Sequence, residues 1–324
     1  MNFPIDLVYM WVDGNDPDWQ AKRLSYKDNK VNNIAENASA ARWRNNDELR
    51  YSLRSVEMYA PWINHIYIVT DNQRPAWLRE NHPRVTIVDH RTIFPADALP
   101  VFSSSAIESC IYKIPGLSEH FILGNDDTLF SAPTTPDVFF NTDGTPIVRV
   151  KHFNRKRNYA VGSYHRMVVR MQDMVHEQTG TLIKYSPHHG LDAYRKSIYE
   201  YCVTNLYAYK WQATTYKRFR HEDDMHRSFV DYYALATGRA QLRLVRRFNR
   251  INTLGGALKA ILTHRFASDS RIVSVYMRNY DAIMREHNPL MICVNDNERA
   301  TEADCRRMKA FLEERYAVKS SFEK

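Results

Sequence analysis

The chain has 324 residues, 44% of them apolar and 25% charged, with a formal net charge of +8. That length supports a substantial packed core, and the charge content is that of a globular protein rather than a disordered one. No apolar run approaches the roughly 20 residues of a membrane span, and the N-terminal residues lack the basic and apolar segments of a secretory signal. The four cysteines, Cys110, Cys202, Cys293 and Cys305, form no CxxC pair. Scattered thiols in a chain of this length predict a reduced, cytoplasmic protein.

Four short apolar runs, Ile5–Val12, His65–Thr70, Arg84–Val88 and His120–Leu123, predict strands. They are β-branched and nearly continuous in hydrophobicity, as strands covered on both faces are. Between the first two, Asp47–Tyr59 places Leu49, Leu53, Val56 and Ala60 on one helical stripe, and Pro61 stops it. Ser105–Glu108 has the spelling of a capping box opening a helix that ends before Pro115. The alternation predicts an α/β fold with a doubly wound, mainly parallel sheet in residues 1–150. Helices are then predicted over Gly162–Gly180, Asp192–Tyr209, Glu222–Leu235 and Thr301–Tyr316. This mostly helical part, residues 151–324, is expected to pack on the first part and complete one domain of residues 1–324.

Acids follow three of the strands directly: Asp13 after the first, Asp71 after the second, and Asp126 with Asp127 after the last. In an open α/β sheet the ligand site lies beyond the carboxyl ends of the strands, so these carboxylates are expected to converge there. Asn125-Asp126-Asp127 suits Mg²⁺ or Mn²⁺, which take oxygen ligands and bridge to phosphate oxygens; the plain alternative is a polar turn. Trp11-Val12-Asp13-Gly14-Asn15-Asp16 is a glycine-containing turn whose backbone could approach a nucleotide, and it matches neither a dinucleotide fingerprint nor a Walker loop. Pro187-His188-His189-Gly190 offers imidazole near an expected helix start, suited to general base work on a hydroxyl. Arg220, in Arg218–Asp224, has the planar fork that binds phosphate, although a charged helix start would read the same way. The run Arg239, Arg243, Arg246, Arg247 and Arg250 is either a solvated helix face or a contact for a polyanionic acceptor or membrane surface. No helix-turn-helix, zinc-finger or RNP spelling supports a nucleic-acid partner.

Together these motifs resemble the Stealth family. Its first block looks like Ile5–Asp16. Its long second block looks like Asp47–Ser55, then residues 60–78, 99–109 and 114–127, with Ile114-Pro-Gly-Leu-Ser-Glu-His-Phe-Ile-Leu-Gly-Asn-Asp-Asp127 at its end. A third block looks like His188 through Tyr201, a fourth like Ile292–Asp296, and Phe219–Met225 matches an element between them. The resemblance implies a GT-A-like nucleotide-sugar transferase fold and a bacterial capsule or exopolysaccharide phosphotransferase. Such an enzyme moves hexose- or N-acetylhexosamine-1-phosphate from a UDP-sugar to a glycan or lipid-linked glycan hydroxyl, releasing UMP and forming a phosphodiester. It implies Asp13 and Asp127 in catalysis, His188 as base and Arg220 on the phosphoryl group. Trp11, Val12, Gly14, Asn15, Asp16, Arg42, Arg50, Asp71 and Asn125 would contact substrate, with Asp126 and Asp127 on Mg²⁺ or Mn²⁺. Location would be cytoplasmic, with peripheral contact at the inner face of the membrane. The rival readings are a metal-dependent glycosyltransferase releasing UDP and, further off, a nucleic-acid-binding protein.

Overall fold

A computed structural model describes residues 1–26, 44–160, 162–245 and 270–324. In chain order it forms β1 (Ile5–Met10), α1 (Pro17–Ser25), α2 (Glu48–Tyr59), β2 (Ile66–Thr70), β3 (Val85–Asp89), α3 (Ser104–Glu108), β4 (His120–Asn125) and β5 (Thr128–Phe130). There follow β6 (Ile147–His152), α4 (Ser163–Thr179), β7 (Tyr185–Pro187), β8 (Asp192–Arg195), α5 (Lys196–Asn205), α6 (Ala208–Thr215), α7 (Ser228–Ala236) and β9 (Gln241–Leu244). The last elements are β10 (Ser270–Ser274), α8 (Tyr280–His287), β11 (Met291–Asn295) and α9 (Glu302–Arg315).

The main sheet runs β3-β2-β1-β4-β8. Its first four strands are mutually parallel, and β8 closes the edge antiparallel to β4. Every residue of β1, β2 and most of β4 is buried, because the sheet is covered on both sides. On one side Val8, Val69, Phe121 and Leu123 pack under α4 to α7 through Val168, Ile198, Trp211 and Phe229. On the other, Leu7, Tyr9, Ile68 and Ile122 meet Leu49, Leu53 and Val56 of α2. The period-2 alternation along each strand thus feeds two cores, which is the doubly wound arrangement expected of near-continuous apolar runs.

Several elements differ from expectation. Asp192–Arg195 is not the start of a helix but β8, paired residue for residue with His120–Leu123. Glu222 lies in a turn before α7, held by the Asp224 carboxylate, which accepts from the His221 N–H at 2.8 Å. The cap of α3 is Ser103, two residues earlier than the spelling suggested. The second half also carries strands: β5 pairs antiparallel with β11, which runs parallel to β10. Residues beyond 150 therefore share sheets with the first part. By contrast, Thr301 and Asp304 form the reciprocal capping box that their spelling predicts.

Gly124, the penultimate residue of β4, shows how tightly the acid-bearing turn is packed. A Cβ there would lie 2.5 Å from Leu191 Cδ2 and 2.7 Å from Thr128 Oγ1, closer than real Cβ atoms come. Against the first half of α2, Glu323 is 1% exposed and accepts from Arg50 Nε at 2.6 Å and Arg54 Nε at 2.7 Å. Burial alone would raise its carboxyl, but hydrogen bonds from Arg54, the Ser320 N–H and Arg50 outweigh that and hold it at about 2. Glu323→Ala is expected to destabilise the protein by about 3 kcal/mol in urea unfolding, since it strands buried positive charge. A depressed carboxyl contributes stability above its ordinary value of 4.5 and loses it as pH falls toward about 2. Glu323→Gln should therefore show a flatter stability profile across that acid range.

Candidate active site

A cavity of about 680 Å³ opens at the carboxyl ends of β1, β2 and β4. Its wall on the sheet side is Trp11 and Val12 after β1, Asp71 after β2, and Asn125, Asp126 and Asp127 after β4. His188 and Arg220 face the same space from the second half of the chain. The structure thus brings together most of the residues that the sequence singled out.

It does not bring all of them. Asp13 caps its own turn, its Oδ1 accepting from the Asn15 N–H at 3.0 Å, and Gln73 bridges it to Asp16. Asp16 caps α1 by accepting from the Asp18 and Trp19 N–H groups. Asp13, Gly14, Asn15 and Asp16 do not line the cavity; the turn they build aims Trp11 and, through α1, Trp19 and Arg23 into it. Arg50 is held by Glu323 outside the cavity. Arg42 lies outside the described residues, as do Arg246, Arg247 and Arg250; Arg239 and Arg243 are exposed. Asp71 lines the wall and pairs with Lys22 at 2.5 Å. Arg220 donates to Ser104 Oγ at the N-terminus of α3. The two histidines sit between β7 and β8 rather than at a helix start.

Asp126 and Asp127 are half-buried acids in the cavity wall with too little positive charge around them. Burial, then the adjacent Asp127 and Glu48, push the Asp126 carboxyl far above the carboxylate range. Burial raises Asp127 to about 7, opposed by a hydrogen bond from the Cys293 thiol and reinforced by Glu48. Asp127 Oδ1 is buried and accepts no hydrogen bond. Adjacent half-buried carboxylates, one of them with a buried oxygen that has no partner, fit the oxygen-ligand preference of Mg²⁺ or Mn²⁺. Arg44, which also lines the cavity, is committed to Asp296 at 2.8 Å and Cys305 Sγ at 3.1 Å.

Reading the chain as a sequence missed the opposite wall. Arg227 there is 5% exposed, with Asp192 Oδ2 at 3.2 Å and Glu108 Oε1 at 3.8 Å. Asp231 also lines the wall. Burial raises Asp192 to about 6, with Arg227 opposing. The same burial pushes Asp231 well up. Arg227 and the nearby Arg149 both lower Asp192, and burial still outweighs them. His226 lies 3.8 Å from Glu108 Oε2. Glu108 sits inside a motif segment already quoted, but nothing local marks it as functional; its partners are more than 80 residues away.

Burial, then Lys151 and Arg149, lowers His188 to about 4, and burial, then Arg227, lowers His189 to about 3. Both rings are neutral at pH 7 and able to accept a proton. They differ in neighbours. His189, not His188, clusters with Asp127 and Cys293, their ligand atoms lying within 4.8 Å of one another.

The fold and cavity define an α/β protein with a buried acidic site at the carboxyl edge of a mainly parallel sheet. Two family models match the chain: Stealth protein conserved region 1 over residues 3–31 and Stealth protein conserved region 2 over residues 42–148. An exopolysaccharide phosphotransferase of Lactiplantibacillus plantarum is 31% identical, covering 99% of this chain and 97% of its own. The chain belongs to the Stealth family. Two exopolysaccharide phosphotransferases of Streptomyces coelicolor are 42% and 41% identical over 74% of this chain, which spans 41% and 45% of their lengths. Among solved structures, a galactosyltransferase LgtC complex aligns over 98% of this chain and 96% of its own, at a TM-score of 0.47 and 11% identity, too distant a likeness to bear on chemistry.

The raised carboxyl of Asp127 has a thermodynamic consequence. As pH rises from 3.8 to about 7 the unfolded chain loses this proton first, so the metal-free protein loses stability across that window. Asp127→Asn has no proton to lose. In EDTA it is expected to melt above the wild type at about pH 8 and to differ little from it at about pH 4.

Proposed function

We propose that the protein is a sugar-1-phosphate transferase that takes hexose- or N-acetylhexosamine-1-phosphate from a UDP-sugar and joins it to a glycan hydroxyl, releasing UMP. The observation that carries this reading is the convergence of Asp126 and Asp127, short of positive charge, with His188 and Arg220 on one cavity. Membership of a family whose named relatives are phosphotransferases supports it.

In this reading the acceptor hydroxyl attacks the β-phosphorus. The new O–P bond forms as the bond to the bridging oxygen breaks, and UMP departs with that oxygen. The sugar C1–O bond stays intact. His188 Nε2 or Nδ1 takes the hydroxyl proton, as a neutral imidazole can. Arg220, planar and always charged, holds non-bridging phosphoryl oxygens, and Ser104 fixes its fork. Asp126 and Asp127 would hold Mg²⁺ or Mn²⁺, whose charge offsets that of the diphosphate. Trp11, Trp19, Phe102 and Phe219 line the cavity as an apolar face against which a base or sugar ring can stack. In the same reading, the exposed Arg239 and Arg243 would contribute positive charge toward an anionic acceptor or membrane surface. Among the described residues no helix is long and apolar enough to cross a membrane.

The test is turnover of UDP- and GDP-sugars with Mg²⁺ or Mn²⁺, separating nucleotide monophosphate from diphosphate. UMP is expected, and UDP would return the protein to the glycosyltransferases. Asp126→Ala and Asp127→Ala should each abolish turnover in folded protein. His188→Ala should lower kcat by about 10²–10⁴, the usual loss with a general base. Arg220→Lys should also fail, because a point charge does not replace the fork. Full activity in both His188→Ala and His189→Ala would place the base elsewhere.

A further inference from the structure

The cluster of Asp127, His189 and Cys293 has no part in the proposed chemistry apart from Asp127, and its ligand types are not those of a magnesium site. Mg²⁺ demands near-octahedral oxygen coordination. A thiol, an imidazole and a carboxylate are the set that Zn²⁺ takes in tetrahedral sites with three protein ligands and one open position. We propose that Asp127, His189 and Cys293 form a second cation site selective for Zn²⁺, which shares Asp127 with the Mg²⁺ or Mn²⁺ position and inhibits the transferase when filled.

The geometry is close to what zinc needs. Zinc–ligand bonds of about 2.0–2.3 Å place tetrahedral ligand atoms roughly 3.3–3.7 Å apart. The ligand atoms here all lie within 4.8 Å of one another, and Cys293 Sγ already lies 3.4 Å from Asp127 Oδ2. Closing the remaining gap needs side-chain adjustment of about 1 Å or less. Asp127 Oδ1 is buried with no hydrogen-bond partner, so an acceptor is available at the site. An ion has a route in, because Asp127 and His189 line the open cavity while Cys293, 0% exposed, stands behind them. The backbone fixes the arrangement. Cys293 pairs with Thr128 across β5 and β11, and the Val294 N–H donates to the Asp127 carbonyl at 2.8 Å.

On binding, a Zn–S bond forms and the thiol proton leaves to solvent; no oxidation occurs. Asp127 is then withdrawn from the hard-cation position. The binding claim stands by itself, and the inhibition rests on the proposed transferase activity.

The experiment uses the full chain, stripped with EDTA and titrated with Co²⁺ as a spectroscopic stand-in for Zn²⁺. A sulfur-to-cobalt charge-transfer band in the near ultraviolet, bleached by Zn²⁺ and not by excess Mg²⁺, is the expected result. Bound Co²⁺ without a sulfur band overturns the site, and this readout needs no variant. Cys293→Ser should lose the band and weaken Zn²⁺ binding by at least about the 10–100-fold that losing even an outer-shell partner costs. If that variant does not fold by circular dichroism, His189→Gln takes its place, with Zn²⁺ affinity as the readout. Zn²⁺ inhibition at saturating Mg²⁺, scaled to each protein's own uninhibited rate, should be relieved in the folded variant. A sulfur band in a protein that turns over no nucleotide-sugar would sink the transferase reading and leave the site standing. Turnover with no sulfur band would do the reverse.

Discussion

The pairing of Thr128–Phe130 with Met291–Cys293 is the contact on which the cavity depends. Those three residues follow Asp127 at once, so whatever holds them holds the acid pair. The strand is gripped from several sides: the Thr128 carbonyl accepts from Ser52 Oγ at 2.6 Å, the Phe130 N–H donates to Ser55 Oγ at 2.9 Å, and the Phe130 carbonyl accepts from the Tyr316 hydroxyl at 2.8 Å. Tyr9 from the central strand reaches the same Ser52 at 2.7 Å. Buried hydroxyls with satisfied partners are rigid spacers, because losing any one leaves an orphan in a dry core. The acid-bearing turn is therefore set against the sheet, α2 and the C-terminal helix at once.

The overall charge of +8 gives a misleading picture of this interior. Both cavity walls carry more carboxylate than cation: Glu48, Asp126 and Asp127 on one side, and Glu108, Asp192 and Asp231 around Arg227 on the other. Part of the excess positive charge sits outside, on groups such as Arg239 and Arg243. A basic surface around an acidic pocket separates two tasks. Basic surface groups act on anions over a Debye length of about 10 Å, while the pocket's carboxylates repel an anion until positive charge offsets them.

What was legible in the sequence follows from how local each signal is. The four parallel strands were readable because burial on both faces makes a run of apolar residues with nothing to interrupt it. The helix over Glu48–Tyr59 and the Thr301 cap were readable because their stripe or spacing is complete within a dozen residues. Strands of three or four residues were not, since a segment such as Asp192–Arg195 runs straight into a helix and borrows its periodicity. The acids after the strands were legible as a group, and Asp13 and Asp16 make the turn and cap hydrogen bonds common for an Asp after a strand. The Arg227 cluster and the nearness of His189 to Cys293 were out of reach, because both join residues that only the tertiary fold brings side by side. Glu323 illustrates the same limit: its partners Arg50 and Arg54 precede it by 273 and 269 positions.

The separation in chain length between the two halves of the β5–β11 ladder also governs how the molecule must assemble. Asp127 and Cys293 are 166 positions apart, so the chain between them has to close before Asp127 has its native surroundings. Contacts this distant are costly in chain entropy, as are the parallel pairs of the main sheet, where Ile5 meets His120, while the Glu48–Tyr59 helix forms from local contacts. A nascent chain emerging from the ribosome would thus keep Thr128–Phe130 without its ladder partner until Met291–Cys293 had been made. The acidic turn would be completed only when the C-terminal strand arrives, and Asp127 would meet Cys293 in that same step.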